Sequence, residues 1–179
     1  AALERVRAQA MAMHQTEDLG KTIMIYYEQL DNLIDTTIVR CGAGLLNKEN
    51  TIAEMSTASK SPDGEIYYVR GKIEMQGHSL LDNTYEHWLK QEEYSHVLHG
   101  NDISKYYQYI TNQVAIPGNT GDDDLYFYFP MFNEGSFYVV TNNEVPEDEL
   151  QIFRRFGTVL SLTYRRFNDL QRAEAQARE

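Results

Sequence analysis

The side chains best suited to metal chemistry are four histidines in the middle of the chain. His96 and His99 are three residues apart, and His78 and His87 precede them. A strand is predicted over 94–98, and side chains three apart on a strand face opposite sides of the sheet, so this pair would not chelate one metal ion. We therefore interpret the histidines as ordinary polar or core residues and predict no metal site.

Other patterns that could indicate catalysis are weak. Asp122, Asp123 and Asp124 are consecutive, whereas the ligands of a calcium-binding loop alternate along the chain. We find no nucleophile elbow, no glycine loop that cradles phosphate, and no Ser, His and Asp set at a recognisable motif. The sequence therefore predicts a solvated loop at the aspartates, no catalytic residue, and a chain that is not an enzyme in its own right.

Aromatic side chains carry the remaining chemical signal, with 13 Tyr, 7 Phe and 1 Trp on or beside predicted strands. They either pack the core between helices and sheet or form the floor of a ligand pocket. Arg70 lies two residues from Tyr68 on one predicted strand face, so it either offers a cation to an anionic ligand or reaches into solvent. The predicted ligand-binding residues are Tyr68, Arg70, Tyr85, Trp88, Tyr94, Tyr126 and Tyr128.

Composition limits the partners of the chain. The 179 residues carry a net charge of -11 at a pI near 4.9, which argues against nucleic acid and anionic membrane surfaces because both need clustered Lys and Arg. No apolar run approaches the roughly 18 residues of a membrane-spanning helix. The single Cys41 excludes an internal disulfide and fits a reducing compartment. We therefore expect a cytoplasmic protein.

Two helices and three strands fill the first part of the predicted order. Residues 1–15 carry a narrow apolar seam, and a wider apolar face runs from Leu19 to Leu33. Gly20 marks a break or bend between these helices. The strands that follow are predicted near 36–44, 51–58 and 65–75.

Short helices then alternate with strands. Ser79 is predicted to cap a helix that carries Leu81 and Trp88 on one face, and Asn101 or Asp102 to cap the next. Short loops favour antiparallel neighbours, so we predict an α+β domain with one mostly antiparallel sheet. The remaining elements are strands at 94–98, 124–131 and 135–141, a loop at 115–123 and a last helix from Pro146 to Glu179.

One strand shows how many layers the domain needs. Strand 124–131 is apolar on both faces, with Leu125 and Phe127 on one and Tyr126 and Tyr128 on the other. A strand that is buried on both sides requires a covering layer on each face of its sheet. The sequence therefore predicts a covering layer on each side of this part of the sheet.

The segment from Tyr128 to Val140 reads YFPMFNEGSFYVV and is followed by an acidic helix start and by FRRF at 153–156. This segment and the order of elements resemble a GAF domain over about residues 17–167. The resemblance implies a six-stranded, mostly antiparallel sheet with terminal helices on one face and shorter helices over a small-molecule pocket on the other. Both chain ends resemble the helical connectors of multi-domain Bacteroidetes-type sensor proteins, which join GAF units to histidine kinase or cyclase output domains.

Several functions of the GAF family depend on signatures that this chain lacks. The cyclic-nucleotide signature is not completed after Asn47 and Lys48, and Gly42 follows Cys41 where bilin-carrying members commonly have His. One Cys cannot form the resolving disulfide of methionine-sulfoxide-reducing members. The resemblance therefore implies a non-catalytic sensory module of a signal-transduction protein, such as a two-component system, with an unknown small-molecule ligand or cofactor. The alternative is a ligand-free GAF domain that acts as a dimerisation and spacing element.

The resemblance also divides the chain into an N-terminal connector helix at 1–16, a sensory domain at 17–167 and a C-terminal connector helix at 168–179. In the last helix, apolar residues repeat three and four apart from Phe153 to Leu170, which is the seam of a left-handed helix pair. We therefore predict a parallel, coiled-coil homodimer through the terminal helices. A monomer whose last helix packs only on its own sheet is the alternative.

Overall fold

The structure is a computed structural model that describes residues 2–11, 18–117 and 121–179. Within these residues it contains five helices and seven strands. The helices are α1 (Ala2–Met11), α2 (Asp18–Leu33), α3 (Ser79–Leu89), α4 (Asn101–Thr111) and α5 (Glu147–Arg178). The strands are β1 (Ile38–Leu45), β2 (Ile52–Lys60), β3 (Ile66–Glu74), β4 (Tyr94–Leu98), β5 (Leu125–Phe129), β6 (Met131–Phe132) and β7 (Gly135–Thr141).

The strands form one sheet in the order β3-β2-β1-β7-β5-β4. All the described pairs are antiparallel. The predicted α+β class and mostly antiparallel sheet are therefore confirmed. The sheet has one short strand more than predicted, because a tight hairpin at Asn133 and Glu134 pairs Met131 with Ser136 and so creates β6 beside β7.

The first face of the sheet packs against α2 and α5, and we call the side chains buried there the α2/α5 layer. Apolar residues three and four apart on both helices meet residues that alternate along β1 and β7. The ring of Tyr26 on α2 contacts Phe137 of β7 and Phe156 of α5 edge-on, at centroid distances of 5.5 and 5.3 Å. Large buried side chains of this layer are Ile23, Tyr26, Phe137, Phe153, Phe156 and Leu160.

The second face packs against α3 and α4, and we call its buried side chains the α3/α4 layer. On β5, Leu125, Phe127 and Phe129 belong to this layer, whereas Tyr126 and Tyr128 belong to the α2/α5 layer. This alternation confirms that both faces of β5 are covered. None of the described helices combines the length and the hydropathy needed to cross a lipid bilayer.

The sequence placed two helix caps wrongly. Ser79 is the first residue of α3, and the cap is His78, whose Nδ1 accepts a hydrogen bond from the N–H of Leu80 at 3.2 Å. Likewise, α4 begins at Asn101, and its cap is Gly100 at φ 52°, which offers no side-chain hydrogen bond. Positive φ at this position favours glycine, so the conformation of the chain, rather than a capping side chain, sets this helix start.

Two predictions about α2 are also wrong. Gly20 lies buried inside the helix, and a Cβ there would be 2.2 Å from the ring of Tyr68 on β3. The missing side chain therefore lets α2 approach the sheet, and it does not mark a break. Leu33 is 45% exposed, so the buried face of the helix ends at Leu30. The predicted boundary between the N-terminal connector helix (1–16) and the sensory domain (17–167) lies outside the described residues.

The last helix, α5, has 32 residues and is therefore about 48 Å long. Its buried residues lie between Glu149 and Phe167 and face the body of the domain. Helix α1 packs beside α5, with Leu3 half-buried against the α2/α5 layer. The dimer prediction also places Leu3 and Val6 of the first helix beside the last helix; the side chain of Val6 lies outside the described ones. From Asp169 onward every residue of α5 is exposed, so this end projects from the domain.

The seam that was predicted to hold a dimer is buried within the chain itself. Its members pack against the sheet, α1 and α2, where they are at most 7% exposed: Phe153, Phe156, Leu160, Thr163 and Phe167. The last member of the predicted seam, Leu170, is instead 45% exposed, and Leu162, which lies outside the seam, is 59% exposed. The large apolar side chains of α5 that remain exposed for a partner helix are therefore Leu162 and Leu170.

Candidate functional site

The candidate site is built on β1, through the alternate residues Arg40, Gly42 and Gly44. Side chains alternate along a strand, so Ile38 and Arg40 would ordinarily share a face. A shift in the β1–β7 register lies between them. Ile38 consequently belongs to the α2/α5 layer, while Arg40 turns to α4, where it contacts Tyr107.

Arg40 is buried in a cage of tyrosines. It is 2% exposed, and its Nη1 donates a hydrogen bond to the hydroxyl of Tyr107 at 2.8 Å. Its guanidinium carbon lies 5.1 Å from the ring centre of Tyr107 and 6.0 Å from that of Tyr106, within the range of cation–π attraction. Among the described residues, Nη2 of Arg40 and the hydroxyl of Tyr138 are both buried without a hydrogen-bond partner.

The cage carries a positive charge that no carboxylate balances. Burial lowers the pKa of Arg40, but Tyr106, Tyr107 and Tyr138 outweigh this effect, and the pKa stays above its ordinary value. Burial also raises the pKa of Tyr106 and of Tyr138, so both phenols are neutral near pH 7. The described groups that act on Arg40 are all tyrosines, and an unbalanced charge in the interior is costly.

A cavity of about 50 Å³ lies beside this cage, between the sheet and the helices α3 and α4. Tyr106 and Tyr138 belong both to the cage and to the wall of the cavity. Its polar wall residues Thr84 and Ser136 already donate to backbone carbonyls, at 2.7 Å to Leu80 and 3.0 Å to Pro130. The apolar part of the wall includes Leu46, Ile73, Leu81, Ile110, Phe127 and Phe129.

Glycines leave room on this face of β1. A Cβ on Gly44 would meet no atom within 4 Å, so this position opens into the cavity. A Cβ on Gly42 would instead lie 2.7 Å from the hydroxyl of Tyr138 and 2.3 Å from the carbonyl oxygen of Ser56. Gly42 therefore lets Tyr138 lie directly against the sheet beside Arg40.

The seven residues predicted to bind a ligand do not come together. Tyr68, Arg70, Tyr126 and Tyr128 lie on the α2/α5 side of the sheet, whereas Tyr85, Trp88 and Tyr94 lie in the α3/α4 layer. Among the described residues, none of the seven lines the cavity beside Arg40. For Tyr126 and Tyr128 the reason is the alternation of side chains along β5. The odd-numbered residues Phe127 and Phe129 face the cavity, so Tyr126 and Tyr128 point away from it.

Two members of the predicted set have clear structural positions. Trp88 is 3% exposed, and its Nε1 donates a hydrogen bond to the carbonyl oxygen of Phe132 at 3.0 Å. Arg70 lies on the edge strand β3, in an exposed groove that it shares with Leu19 and Glu54. Arg70 is therefore not the cation of the cavity.

The sequence analysis missed Arg40, although the sequence contains a signal for it. Arg40 follows two apolar residues in the middle of a strand, where charged side chains are rarely buried without a purpose. Glycines then occupy the next two positions of the same face, Gly42 and Gly44. A buried cation beside two absent side chains is a pattern that could have indicated a cavity.

Two of the histidines share a neighbour, since His87 and His96 both stack on Tyr94, at centroid distances of 4.4 and 6.1 Å. His99 Nδ1 lies 2.9 Å from the carboxylate of Asp124 on the surface. Within the described part of the chain, no three His, Cys, Asp or Glu side chains form a group that could hold a metal ion.

No protein-family model matches the chain, and no curated protein is significantly similar to it in sequence. Neither comparison therefore assigns a family or an activity. The resemblance to GAF domains stays a prediction from the sequence, and the chemistry of the cavity must be argued from its own residues.

Proposed function

We propose that the chain is a non-catalytic, cytoplasmic sensory domain of the GAF type that binds a small molecule between its sheet and the helices α3 and α4. The observation that carries this proposal is the cavity between the sheet and these two helices, whose largely apolar wall also includes Tyr106 and Tyr138. A pre-formed, mostly apolar cavity with a few polar groups in its wall is the usual form of a small-molecule site.

The sheet offers a route from the cavity to the terminal helices. Successive residues of β7 face opposite layers, so Tyr138 lines the cavity while Phe137 contacts Tyr26 of α2. Tyr26 in turn contacts Phe156 of α5. Because packed interiors transmit small displacements, a ligand that shifts Tyr138 would act on α2 and α5 through these rings. The projecting end of α5 would then pass the change to an output domain, such as a histidine kinase or a cyclase.

Ligand binding is testable with the purified chain. Native and denaturing mass spectrometry of the same sample should show a small molecule that is present only under native conditions. A thermal-shift screen with a metabolite panel should find compounds that stabilise the chain, because a ligand that binds only the folded state raises its stability. The Gly44→Val variant is the matched control, since its side chain would occupy the cavity and should remove the response.

A chain that carries no bound molecule and responds to no compound would contradict this proposal. That result would favour the second candidate, a dimerisation and spacing element. The observation behind this alternative is the exposure of Leu162 and Leu170 on α5. Sedimentation of the intact chain at tens of micromolar should then show a dimer, and Leu162→Glu should dissociate it without unfolding the domain. Truncation after Asp169 should weaken it by removing the projecting end, and a monomeric intact chain would exclude the homodimer.

A further inference from the structure

We infer that the cavity between the sheet and the helices α3 and α4 takes a neutral hydrocarbon group of about four carbon atoms, which enters between Gly44 and Met55. The inference rests on the proposed ligand-binding function, and it adds the chemical class of the ligand and its point of entry. The group is either a whole small molecule or the end of a longer chain, and both present the same chemistry to the cavity.

The wall of the cavity disfavours a charged or strongly polar ligand. None of the described residues that line it is Asp, Glu, Lys, Arg or His. Thr84 and Ser136 already donate their hydroxyl protons to backbone carbonyl oxygens, at 2.7 and 3.0 Å. The hydroxyl of Tyr138 is buried against Gly42, which is not part of the wall, so Tyr138 contributes its ring. A charged group in this cavity would therefore lose its hydration without compensation.

The size of the cavity sets the size of the group. Its volume of about 50 Å³ is room for roughly four water molecules, since each needs about 10–15 Å³. Cavities with apolar walls stay dry and bind small apolar molecules instead. A hydrocarbon group would contact wall residues such as Ile110, Phe127 and Phe129. Binding would be favourable because these contacts add dispersion attraction and remove apolar surface from water.

The opening of the cavity lies at a cross-strand pair of β1 and β2. Gly44 is paired with Met55, and these two wall residues are half-buried, whereas the others are buried. A Cβ on Gly44 would meet no atom within 4 Å, so the glycine leaves a gap on this face of the strand. A methionine side chain is unbranched and adapts its shape to its surroundings. Met55 can therefore move aside as a ligand enters.

A closed packing void that nothing enters is the competing explanation, since protein interiors contain a few small voids. The two explanations differ in what reaches the methyl group of Met75, which lines the cavity and is 6% exposed. A ligand in the cavity would lie against this methyl group, whereas a closed void would leave it unchanged. Met24 packs against the α2/α5 layer on the other face of the sheet and serves as the internal reference.

The test follows the methionine methyl resonances of the purified chain by NMR. The probes are n-butane, butan-1-ol and butane-1,4-diol, which share one hydrocarbon chain. The first two should shift the Met75 methyl and leave Met24 unchanged, with a Kd no tighter than on the order of tens of micromolar for ligands of this size. Butan-1-ol can leave its hydroxyl at the opening, but butane-1,4-diol must bury one hydroxyl and should bind at least about tenfold more weakly than butan-1-ol. Octan-1-ol should bind more tightly than butan-1-ol if the group is the end of a longer chain, and more weakly if the cavity takes a whole molecule.

Substitutions at Gly44 provide a graded series. Gly44→Ala fills the space of about one methylene group of the ligand, so about a fourfold loss of affinity for butan-1-ol is expected. Gly44→Val fills more of the cavity and should weaken binding by at least about tenfold. Ser95→Val adds a valine at an exposed position of β4 and should bind butan-1-ol like the wild type. Gly44→Ala keeps the test decisive if Gly44→Val does not fold.

Three results would overturn the inference. The first is a Met75 methyl resonance that none of the probes shifts. The second is equal affinity for butan-1-ol and butane-1,4-diol, and the third is a Gly44→Ala variant that binds butan-1-ol as tightly as the wild type. A charged metabolite that stabilises the wild type but not Gly44→Val, in a chain that ignores butan-1-ol, would overturn this inference and leave the proposed sensory function intact. A chain that responds neither to these probes nor to the metabolite panel would contradict both.

Discussion

Gly42→Ala and Gly44→Ala make the same chemical change two residues apart on one face of β1, and we expect them to change the stability of the domain in opposite directions. The Cβ of Gly42→Ala would lie 2.3 Å from the carbonyl oxygen of Ser56, and real Cβ contacts stay above 3.0 Å. The backbones of β1 and β2 would therefore have to move apart. The Cβ of Gly44→Ala would meet nothing within 4 Å.

The magnitudes follow from these distances. Forced overpacking destabilises a domain by about 1–3 kcal/mol, which corresponds to a fall in Tm of roughly 2–12 °C for a chain of this size. Neither Gly42 nor Gly44 has a positive φ, so alanine fits the backbone at both positions. At Gly44, alanine should raise the free energy of unfolding by about 0.4–1 kcal/mol, because it restricts the conformations of the unfolded chain. The Tm should rise by roughly 1–4 °C.

Urea denaturation followed by circular dichroism measures both variants against the wild type, and a thermal melt provides the second readout. Equal effects at Gly42 and Gly44, or a Gly44→Ala variant destabilised by more than about 1 kcal/mol, would refute the cavity beside β1. In that case the space next to Gly44 would be filled in solution, and the candidate site would not exist there.

Three further predictions concern His78, Trp88 and Cys41, which lie outside the cavity. Burial lowers the pKa of His78, with Asp102 acting in the opposite direction, and its Nδ1 accepts from the N–H of Leu80. The contribution of His78 to stability should therefore be complete above the pKa of about 6.5 in the unfolded chain, and should be lost as the pH falls through the lower pKa in the folded chain. The urea midpoint should then differ between about pH 7.5 and pH 5. This difference should be smaller in His78→Asn than in the wild type, because asparagine keeps an acceptor for the N–H of Leu80 but does not titrate. Trp88→Ala should cost about 3–5 kcal/mol, and the blue-shifted wild-type emission should resist quenchers; full quencher access would contradict its burial. Burial raises the pKa of the Cys41 thiol, so thiol reagents should label it only in denaturant, and rapid native labelling would show that the sheet opens there.

The sequence by itself determined most of the secondary structure. The predicted strands near 51–58 and 65–75 match β2 and β3 to within two residues, because alternation and turn residues are local properties. The need for a layer on each face was also readable from the sequence, since β5 is apolar at every position. Burial of Trp88 followed from the same pattern of apolar residues on a helix face.

Only the tertiary structure decided which residues share a site and which surfaces stay open. A register shift beside Arg40 changes the face on which its side chain lies, and a sequence shows alternation but not the partner strand that interrupts it. The three-four spacing of α5 is the same whether the helix meets its own sheet or another chain, so Phe153 and Phe156 could be assigned only once the fold placed them against Tyr26 and the sheet. Local patterns determine the elements, whereas contacts between residues distant in the sequence determine the cavity and its buried charge.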